Sequence, residues 1–250
     1  MKAAAFFDID GTLYREGLIT AMFKKLIRTE IIEEHRWYNE VREKYERWDR
    51  RVGNYDDYLL KMAEIYVEAV RGLHRSQIEF IADKVVDQNG DRVYVFTRDR
   101  IQWHRQQGHR LIIISGSPEE LVKYMARKHK FDDYVGTHYH TDDEEFFTGT
   151  IEPMWDSASK ERAMDRFARE YRLDLSACYA YGDTAGDMSM FQKVGHPVAV
   201  NPTRELLMKI HNDPDTRRRA LVVVERKDMI YQLNMDICEP LLAKEDGGQI

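Results

Sequence analysis

The chain has 250 residues, of which 43% are hydrophobic and 33% are charged, a balance typical of a folded globular protein. The formal net charge of −6 argues against a general nucleic-acid-binding surface. The two cysteines lack metal-ligand spacing, and no stretch approaches the roughly 20 apolar residues of a membrane span. We therefore expect a cytoplasmic protein with no membrane segment, no nucleic-acid partner and no disulfide framework. Oligomeric state is not predicted by the sequence.

The first element is a short apolar run, Ala3–Phe7, which ends in Asp8, Asp10, Gly11 and Thr12. Its composition predicts a buried parallel strand, and the glycine indicates a loop at the carboxyl end of that strand. Ligands bind at this end of the strands in open α/β sheets. Two carboxylates there would repel each other unless a cation or a proton lay between them. The alternative interpretation is an ordinary polar turn after a core strand.

From Leu18 the apolar residues follow the spacing of helices, and residues 15–99 are predicted to form an inserted all-helical domain. At its carboxyl end, Val93–Phe96 fits either a strand or the start of a helix. The last helix of the block should begin at Ser76, which would form a capping box with Glu79 three residues later. The predicted helices begin at Leu18, cover Tyr38–Val52 and Tyr58–Leu73, and begin again at Ser76.

Strands and helices then alternate, which predicts a doubly wound, Rossmann-like parallel sheet of the α/β class. We assign residues 1–14 and 100–240 to this core domain and residues 241–250 to a flexible tail. Tyr134–Ile151 has the pattern of a β-hairpin, and Leu221–Val224 that of an edge strand.

Three apolar strands end in small polar loops, and such loops meet at one edge of a doubly wound sheet. The loops are Asp8–Thr12, Ser115–Ser117 and Asp183–Asp187. Asp8, Asp10 and Asp183 would together form a pocket of hard oxygen ligands. Such a pocket suits a small octahedral cation, Mg²⁺ first, and it offers no His or Cys ligand for zinc.

Other groups in these loops could hold a phosphoryl group. Thr12 and Ser115 offer hydroxyls, the backbone N–H groups around Gly11 and Gly116 offer donors, and Lys160 offers a positive charge. One carboxylate could then attack phosphorus, while another gives a proton to the leaving alkoxide and takes one from water. This division of labour requires two carboxylates with different pKa values.

Four motifs in order resemble those of the haloacid dehalogenase superfamily of phosphotransferases. Asp8–Thr12 resembles its first motif, Ser115 its second, Lys160 its third and Gly182–Asp187 its fourth. The resemblance spans roughly residues 3–210 and implies an aspartyl-phosphate mechanism.

The resemblance also implies a role for each residue. Asp8 would be the nucleophile and Asp10 the general acid and base. Mg²⁺ would be held by the Asp8 carboxylate, the Asp10 backbone carbonyl and Asp183, while Asp187 would act behind these ligands or through water. Ser115 would bind the phosphoryl group, and Lys160 would brace both that group and the nucleophile.

The helical block resembles the cap of the phosphoserine-phosphatase-like subgroup, which closes over the site and selects the leaving group. Two positions depart from phosphoserine phosphatases. Gly17 stands where they carry a glutamate that holds the substrate amine, and Gly186 stands where they carry an asparagine beside the phosphate. Arg15 and Glu16 are the cap residues that we expect nearest to the leaving group.

The resemblance thus implies a Mg²⁺-dependent phosphomonoester phosphatase for a small phosphorylated metabolite, with phosphoserine phosphatase proper as an alternative. Transfer of the phosphoryl group to another alcohol would use the same intermediate. A receiver-type signalling module would not need Asp10 two residues after the nucleophile. A two-metal nuclease would require more acidic ligands and a basic groove.

Overall fold

A computed structural model describes residues 2–50, 52 and 55–235 of the chain, and the predicted tail 241–250 lies outside this part. None of the helices in the described ranges is long and apolar enough to cross a lipid bilayer. The strands are β1 (Ala4–Phe7), β2 (Arg110–Pro118), β3 (Asp133–Thr141), β4 (Phe147–Glu152), β5 (Tyr179–Gly182), β6 (His196–Val200), β7 (Leu221–Arg226) and β8 (Met229–Leu233). The helices are α1 (Leu18–Arg28), α2 (Glu34–Arg36), α3 (Arg42–Asp49), α4 (Tyr55–Val70), α5 (Arg75–Asn89), α6 (Val95–Gln106), α7 (Glu119–His129), α8 (Ser157–Tyr171), α9 (Met188–Lys193), α10 (Arg204–Asn212) and α11 (Pro214–Arg219).

The strands form a single sheet in the order β4-β3-β2-β1-β5-β6-β7-β8. The six strands from β3 to β7 in this order are parallel, and β4 and β8 are added antiparallel at the two ends. The chain moves outward from β1 in one direction through β2 and β3, and in the other through β5, β6 and β7. The α/β prediction is therefore confirmed, and β1 and β5 meet where the strand order reverses.

Both faces of β1 are buried, as its apolar composition requires. Ala5 and Phe7 point into one hydrophobic cluster, while Ala4 and Phe6 point into a second cluster on the opposite face. The first cluster extends into the helical block, and the second includes residues of α8, α9 and α10. Helices thus cover the central strands on both sides, and Asp8 emerges at the end of a strand fixed by packing from both faces.

The predicted helical block is present, with two differences in its details. The stretch predicted as one helix over Tyr38–Val52 consists of α2, a π-helical turn at Trp37–Val41 and α3. The α5 helix begins at Arg75, and its N-cap is His74, two residues before the predicted cap Ser76. The His74 ring Nδ1 accepts a hydrogen bond from Ser76 N at 3.2 Å, and the Gln77 side chain accepts one from His74 N at 3.1 Å. An imidazole acceptor therefore closes the capping box that we had assigned to a serine.

The stretch Val93–Phe96, which fitted either a strand or a helix, contains one bridge residue and the start of a helix. Val93 forms an isolated bridge with Tyr14, Tyr94 is the N-cap, and α6 begins at Val95. Since α6 is one continuous helix over Val95–Gln106, the predicted domain boundary between residues 99 and 100 falls inside it. The division into a core and a cap domain remains a prediction.

The two chain segments that enter and leave the helical block lie side by side, and Glu225 of β7 holds them together. Backbone hydrogen bonds join Arg15 N to Arg92 O and Tyr94 N to Leu13 O, each at 3.0 Å. The Glu225 carboxylate, only 3% exposed, accepts from Val95 N at 3.0 Å and Phe96 N at 2.8 Å. It also accepts from Arg15 Nη2 at 3.3 Å. One carboxylate thus caps the first turn of α6 and fixes the entering segment.

Replacing Glu225 with alanine should lower the free energy of unfolding by about 2–3 kcal/mol, because the α6 amides and a guanidinium lose a charged acceptor. Glu225→Gln keeps one oxygen acceptor and should cost less. Urea unfolding followed by circular dichroism measures the difference. Glu144→Ala, at an exposed turn position, is the control and should stay within about 0.5 kcal/mol of the parent protein. A Glu225→Ala protein as stable as this control would contradict the assigned role.

Candidate active site

The loop after β1 places Asp8 at the centre of the carboxyl edge of the sheet. Asp8 N donates to Tyr181 O at 3.0 Å, which continues the pairing of β1 with β5. The chain then turns tightly, with Tyr14 N donating to Ile9 O at 2.8 Å. Gly11 lies in this turn with φ of +79°, and a Cβ atom there would lie 2.1 Å from Asp183 Oδ2. Glycine is required both for the backbone conformation and for the close approach of this second carboxylate.

Asp8, Asp183 and Asp187 form a compact cluster in which one carboxylate oxygen from each lies within 4.8 Å of the others. All three side chains are buried. The structure thus brings together three of the acidic residues that the sequence pointed to. The Asp10 side chain is not part of this cluster, and the predicted role of its backbone carbonyl as a metal ligand remains a prediction.

The three carboxylates are held in different ways. Asp187 is fully engaged: Oδ2 accepts from Asp183 N and Thr184 N, each at 3.0 Å, and Oδ1 accepts from Lys160 Nζ at 2.6 Å. Asp183 Oδ1 accepts from the Thr12 hydroxyl at 2.8 Å. Asp8 Oδ1 is buried without a well-formed hydrogen bond, although Lys160 Nζ lies 3.3 Å away. Asp8 Oδ1 is therefore held by an ion pair with Lys160 and can still react or bind a cation.

Lys160 is the buried cation of the site, with only 2% of its surface exposed. It lies in the first turn of α8, whose N-cap Asp156 accepts from Ser159 N at 2.8 Å. Burial alone would lower the pKa of Lys160, but the carboxylates of Asp187 and Asp8 overcome that effect and raise it. The lysine therefore stays charged at neutral pH.

One ammonium group does not balance three buried carboxylates, and the pKa values reflect this excess. Burial raises the pKa of Asp8 to about 7, an effect that Lys160 partly opposes and Asp187 reinforces. Burial, followed by the nearby Asp8, raises the pKa of Asp183 well above its ordinary value. A pocket of oxygen ligands with excess negative charge, in which Asp8 Oδ1 lacks a well-formed hydrogen bond, fits a hard divalent cation.

Asp10 lies beside this cluster and faces the helical block. Its Oδ1 accepts from Leu18 N, the first amide of α1, at 2.7 Å, and its Oδ2 accepts from the Ser117 hydroxyl at 2.5 Å. Burial raises the pKa of Asp10, while these two hydrogen bonds oppose the rise. Ser117 was not among the predicted site residues. Its place two residues after Ser115, in an extended segment, was the signal that could have identified it.

Two predicted phosphoryl-binding side chains have other partners in the structure. The Thr12 hydroxyl is completely buried and donates to Asp183, so it positions a carboxylate and does not face the cavity. Ser115 is also buried, and its Oγ accepts from Ser117 N at 3.2 Å. Gly116 and Ser117 do line the cavity beside Asp8 and Asp10. The interaction of Ser115 with a phosphoryl group remains a prediction.

The cavity above these residues has a volume of about 780 Å³ and opens between the sheet edge and the helical block. Arg15 and Glu16 do not line it. The Arg15 side chain turns back to Val93 O at 3.1 Å and to Glu225, and Glu16 lies on the surface 3.7 Å from Arg92. The geometry corrects the expectation that these two side chains face the leaving group, because the paired chain segments hold them on the outer side.

The profile of the haloacid dehalogenase-like hydrolases matches residues 5–192, and the chain belongs to this family. It is 30% identical over 207 residues to the inhibition of morphological differentiation protein of Streptomyces azureus, covering 82% of this chain and 74% of that protein. It is 26% identical over 212 residues to a phosphoserine phosphatase of Mycobacterium tuberculosis, covering 82% of this chain and 67% of that protein. The predicted superfamily is confirmed.

The fold is similar to that of a substrate-bound phosphoserine phosphatase, with a TM-score of 0.58 at 21% identity, covering 84% of this chain and 90% of the other. This likeness confirms the predicted fold. Together, the family and the buried acidic cluster define an enzyme of the haloacid dehalogenase-like hydrolases.

The excess of buried carboxylates should make the cation-free protein less stable as the pH rises. Asp8 ionises near its ordinary pKa in the unfolded chain but at about 7 in the folded protein. Between these values the folded protein holds a proton that the unfolded chain has lost, so the free energy of unfolding falls with increasing pH. For Asp8 alone the loss should be about 4 kcal/mol and should be complete by about pH 7. Asp183, whose pKa is raised well above its ordinary value, should add to this loss.

Thermal unfolding in EDTA between pH 4.5 and 8.5 measures the slope of the free energy of unfolding against pH. Asp8→Asn should make this slope shallower, because the amide does not titrate, while Asp183 and Asp10 still contribute. Added MgCl₂ should raise the melting temperature of the parent protein more at pH 8 than at pH 5. Equal slopes for the two proteins, or no effect of MgCl₂ at pH 8, would contradict the account of the cluster.

Proposed function

We propose that the protein is a Mg²⁺-dependent phosphomonoester phosphatase that acts on a small phosphorylated metabolite through an aspartyl-phosphate on Asp8. The observation that supports this most directly is the buried Asp8 oxygen without a well-formed hydrogen bond, beside Lys160 and two further carboxylates. Membership of the hydrolase family and the similarity to a mycobacterial phosphoserine phosphatase add independent support.

Mg²⁺ would be held by the carboxylates of Asp8 and Asp183 and by the Asp10 backbone carbonyl. It would neutralise charge on the phosphoryl oxygens and on the ligands. Asp187, whose oxygens are engaged by Lys160 and by backbone amides, would fix the lysine and the loop behind these ligands. The backbone around Gly116 and the Ser115 side chain would receive the phosphoryl oxygens.

The proposed reaction has two steps. First, an Asp8 oxygen bonds to phosphorus, the ester P–O bond breaks, and Asp10 gives its proton to the departing alkoxide. Second, a water molecule loses a proton to Asp10 and attacks phosphorus, which releases inorganic phosphate and regenerates the Asp8 carboxylate. Lys160 stays protonated throughout and stabilises negative charge beside the nucleophile.

The Asp8→Asn variant should lose at least about a thousandfold in kcat/KM for p-nitrophenyl phosphate, because the amide cannot form the intermediate. Asp99→Asn, an exposed position, is the matched control and should retain activity. Mass spectrometry of acid-quenched parent enzyme should detect a phosphoryl group on the peptide that contains Asp8. Activity retained by Asp8→Asn would refute the assignment of the nucleophile.

The Asp10→Asn variant tests the general acid. An alkoxide is a poor leaving group and requires a proton, so kcat/KM for an alkyl phosphate should fall about 10²–10⁴-fold. The loss for p-nitrophenyl phosphate, whose leaving group is already stable as an anion, should be much smaller. Asparagine can still accept from Leu18 N, which preserves the start of α1. Equal losses for the two substrates would argue against Asp10 as the acid.

A further inference from the structure

The cavity has two chemically different ends. The inner end carries the charged groups Asp8, Asp10 and Lys160. The wall contributed by the helical block is apolar except for Asp57 at its outer edge. The apolar members of this wall are Ile19 of α1, Trp48 of α3, and Leu59, Leu60 and Ala63 of α4, and Tyr139 of β3 also lines the cavity.

This apolar wall is held in place by further rings behind it. The Trp48 ring packs against Tyr58 with centroids 5.2 Å apart, and against Tyr45 at 5.7 Å. Tyr139, 3% exposed, packs edge-on against Tyr66 at 5.0 Å. The wall is therefore supported before any ligand binds, which reduces the entropy that binding would cost.

Leu60 is the most exposed member of the wall in the described part of the chain, with 52% of its surface exposed. An exposed leucine that faces a cavity loses contact with water when an apolar ligand enters. Phe80 of α5 is similarly exposed, at 64%, but it lies outside the cavity, and Lys84 Nζ lies 5.6 Å from its ring centroid. Phe80 thus provides a control for the general effect of an exposed apolar residue.

The charged side chains that line the outer part of the cavity are Asp57, Arg204 and Glu205, and all three are exposed to solvent. Exposed charges are screened by water and contribute little to holding a charged ligand. The volume of about 780 Å³ also falls within the range of about 300–1,000 Å³ typical of sites for drug-sized ligands. Size and chemistry therefore both favour a leaving group with a sizeable apolar body.

We infer that the natural substrate is a phosphomonoester whose alcohol carries an apolar aliphatic or aromatic body that packs against the wall around Leu60. The inference rests on the proposed phosphatase function, because the phosphoryl group must lie at Asp8 for the alcohol to reach this wall. Selection by apolar contact predicts that kcat/KM rises with the apolar area of the leaving group.

A series of n-alkyl phosphates from ethyl to hexyl tests this inference, because leaving-group basicity changes little while the apolar surface grows. Each added methylene should raise kcat/KM about two- to fourfold until the wall is covered. Phosphoserine and phosphoethanolamine should be poorer substrates than the hexyl ester. In Leu60→Asn the gain per methylene should fall, whereas Phe80→Asn should keep the gain of the parent enzyme.

The possible failures can be separated. If neither the alkyl series nor phosphoserine nor p-nitrophenyl phosphate is hydrolysed, the proposed phosphatase function is overturned, and the inference with it. If the alkyl esters resist hydrolysis while p-nitrophenyl phosphate or phosphoserine is hydrolysed, only the apolar substrate class is overturned. If the esters are hydrolysed but kcat/KM is independent of chain length, or phosphoserine is preferred to all of them, only the apolar substrate class is overturned. An equal gain per methylene in Leu60→Asn and the parent enzyme would overturn the assignment of the wall.

Discussion

The site depends on how one buried ammonium group is shared among buried carboxylates. Lys160 Nζ lies 2.6 Å from Asp187 and 3.3 Å from Asp8, and Asp183 completes the acidic cluster. The remaining negative charge is costly because these side chains are largely buried, and it is relieved by protons or by a bound cation. The excess of buried negative charge thus weakens the cation-free fold at neutral pH and also favours the binding of a cation. A cation that binds only the folded protein would in turn stabilise the fold.

Much of this arrangement could be predicted because it follows from local sequence and from the rules of parallel sheets. Asp8 and Asp183 each follow a strand whose apolar residues identify it, and the pairing of Phe7 with Tyr181 places their ends side by side. Lys160 lies at the start of a helix that an N-cap aspartate marks. Residues fixed by the ends of secondary-structure elements could therefore be brought together by reasoning from topology alone.

The partners of individual side chains could not be predicted in this way. Ser117 and Asp10 are 107 positions apart, and Arg15 and Glu225 are 210 positions apart. Which of several hydroxyls or carboxylates meets a given group depends on rotamers and on the path of the connecting segments, and neither follows from hydrophobic periodicity. Arg15 is close to Asp10 in sequence, but the pairing of the two chain segments directs its side chain to the outer face.

The hydrogen bond between Asp10 and Leu18 N joins the chemistry to the wall of the cavity. The carboxylate that we assign to proton transfer caps α1, and Ile19, the next residue of that helix, belongs to the apolar wall. A carboxylate at a helix N-terminus is stabilised in its charged form, so a displacement of α1 would change the ease with which Asp10 gives up its proton. A substrate that packs against α1 therefore acts on the helix that holds Asp10. In the proposed reaction, contacts with the leaving group and protonation of the leaving oxygen would thus be coupled through the first turn of α1.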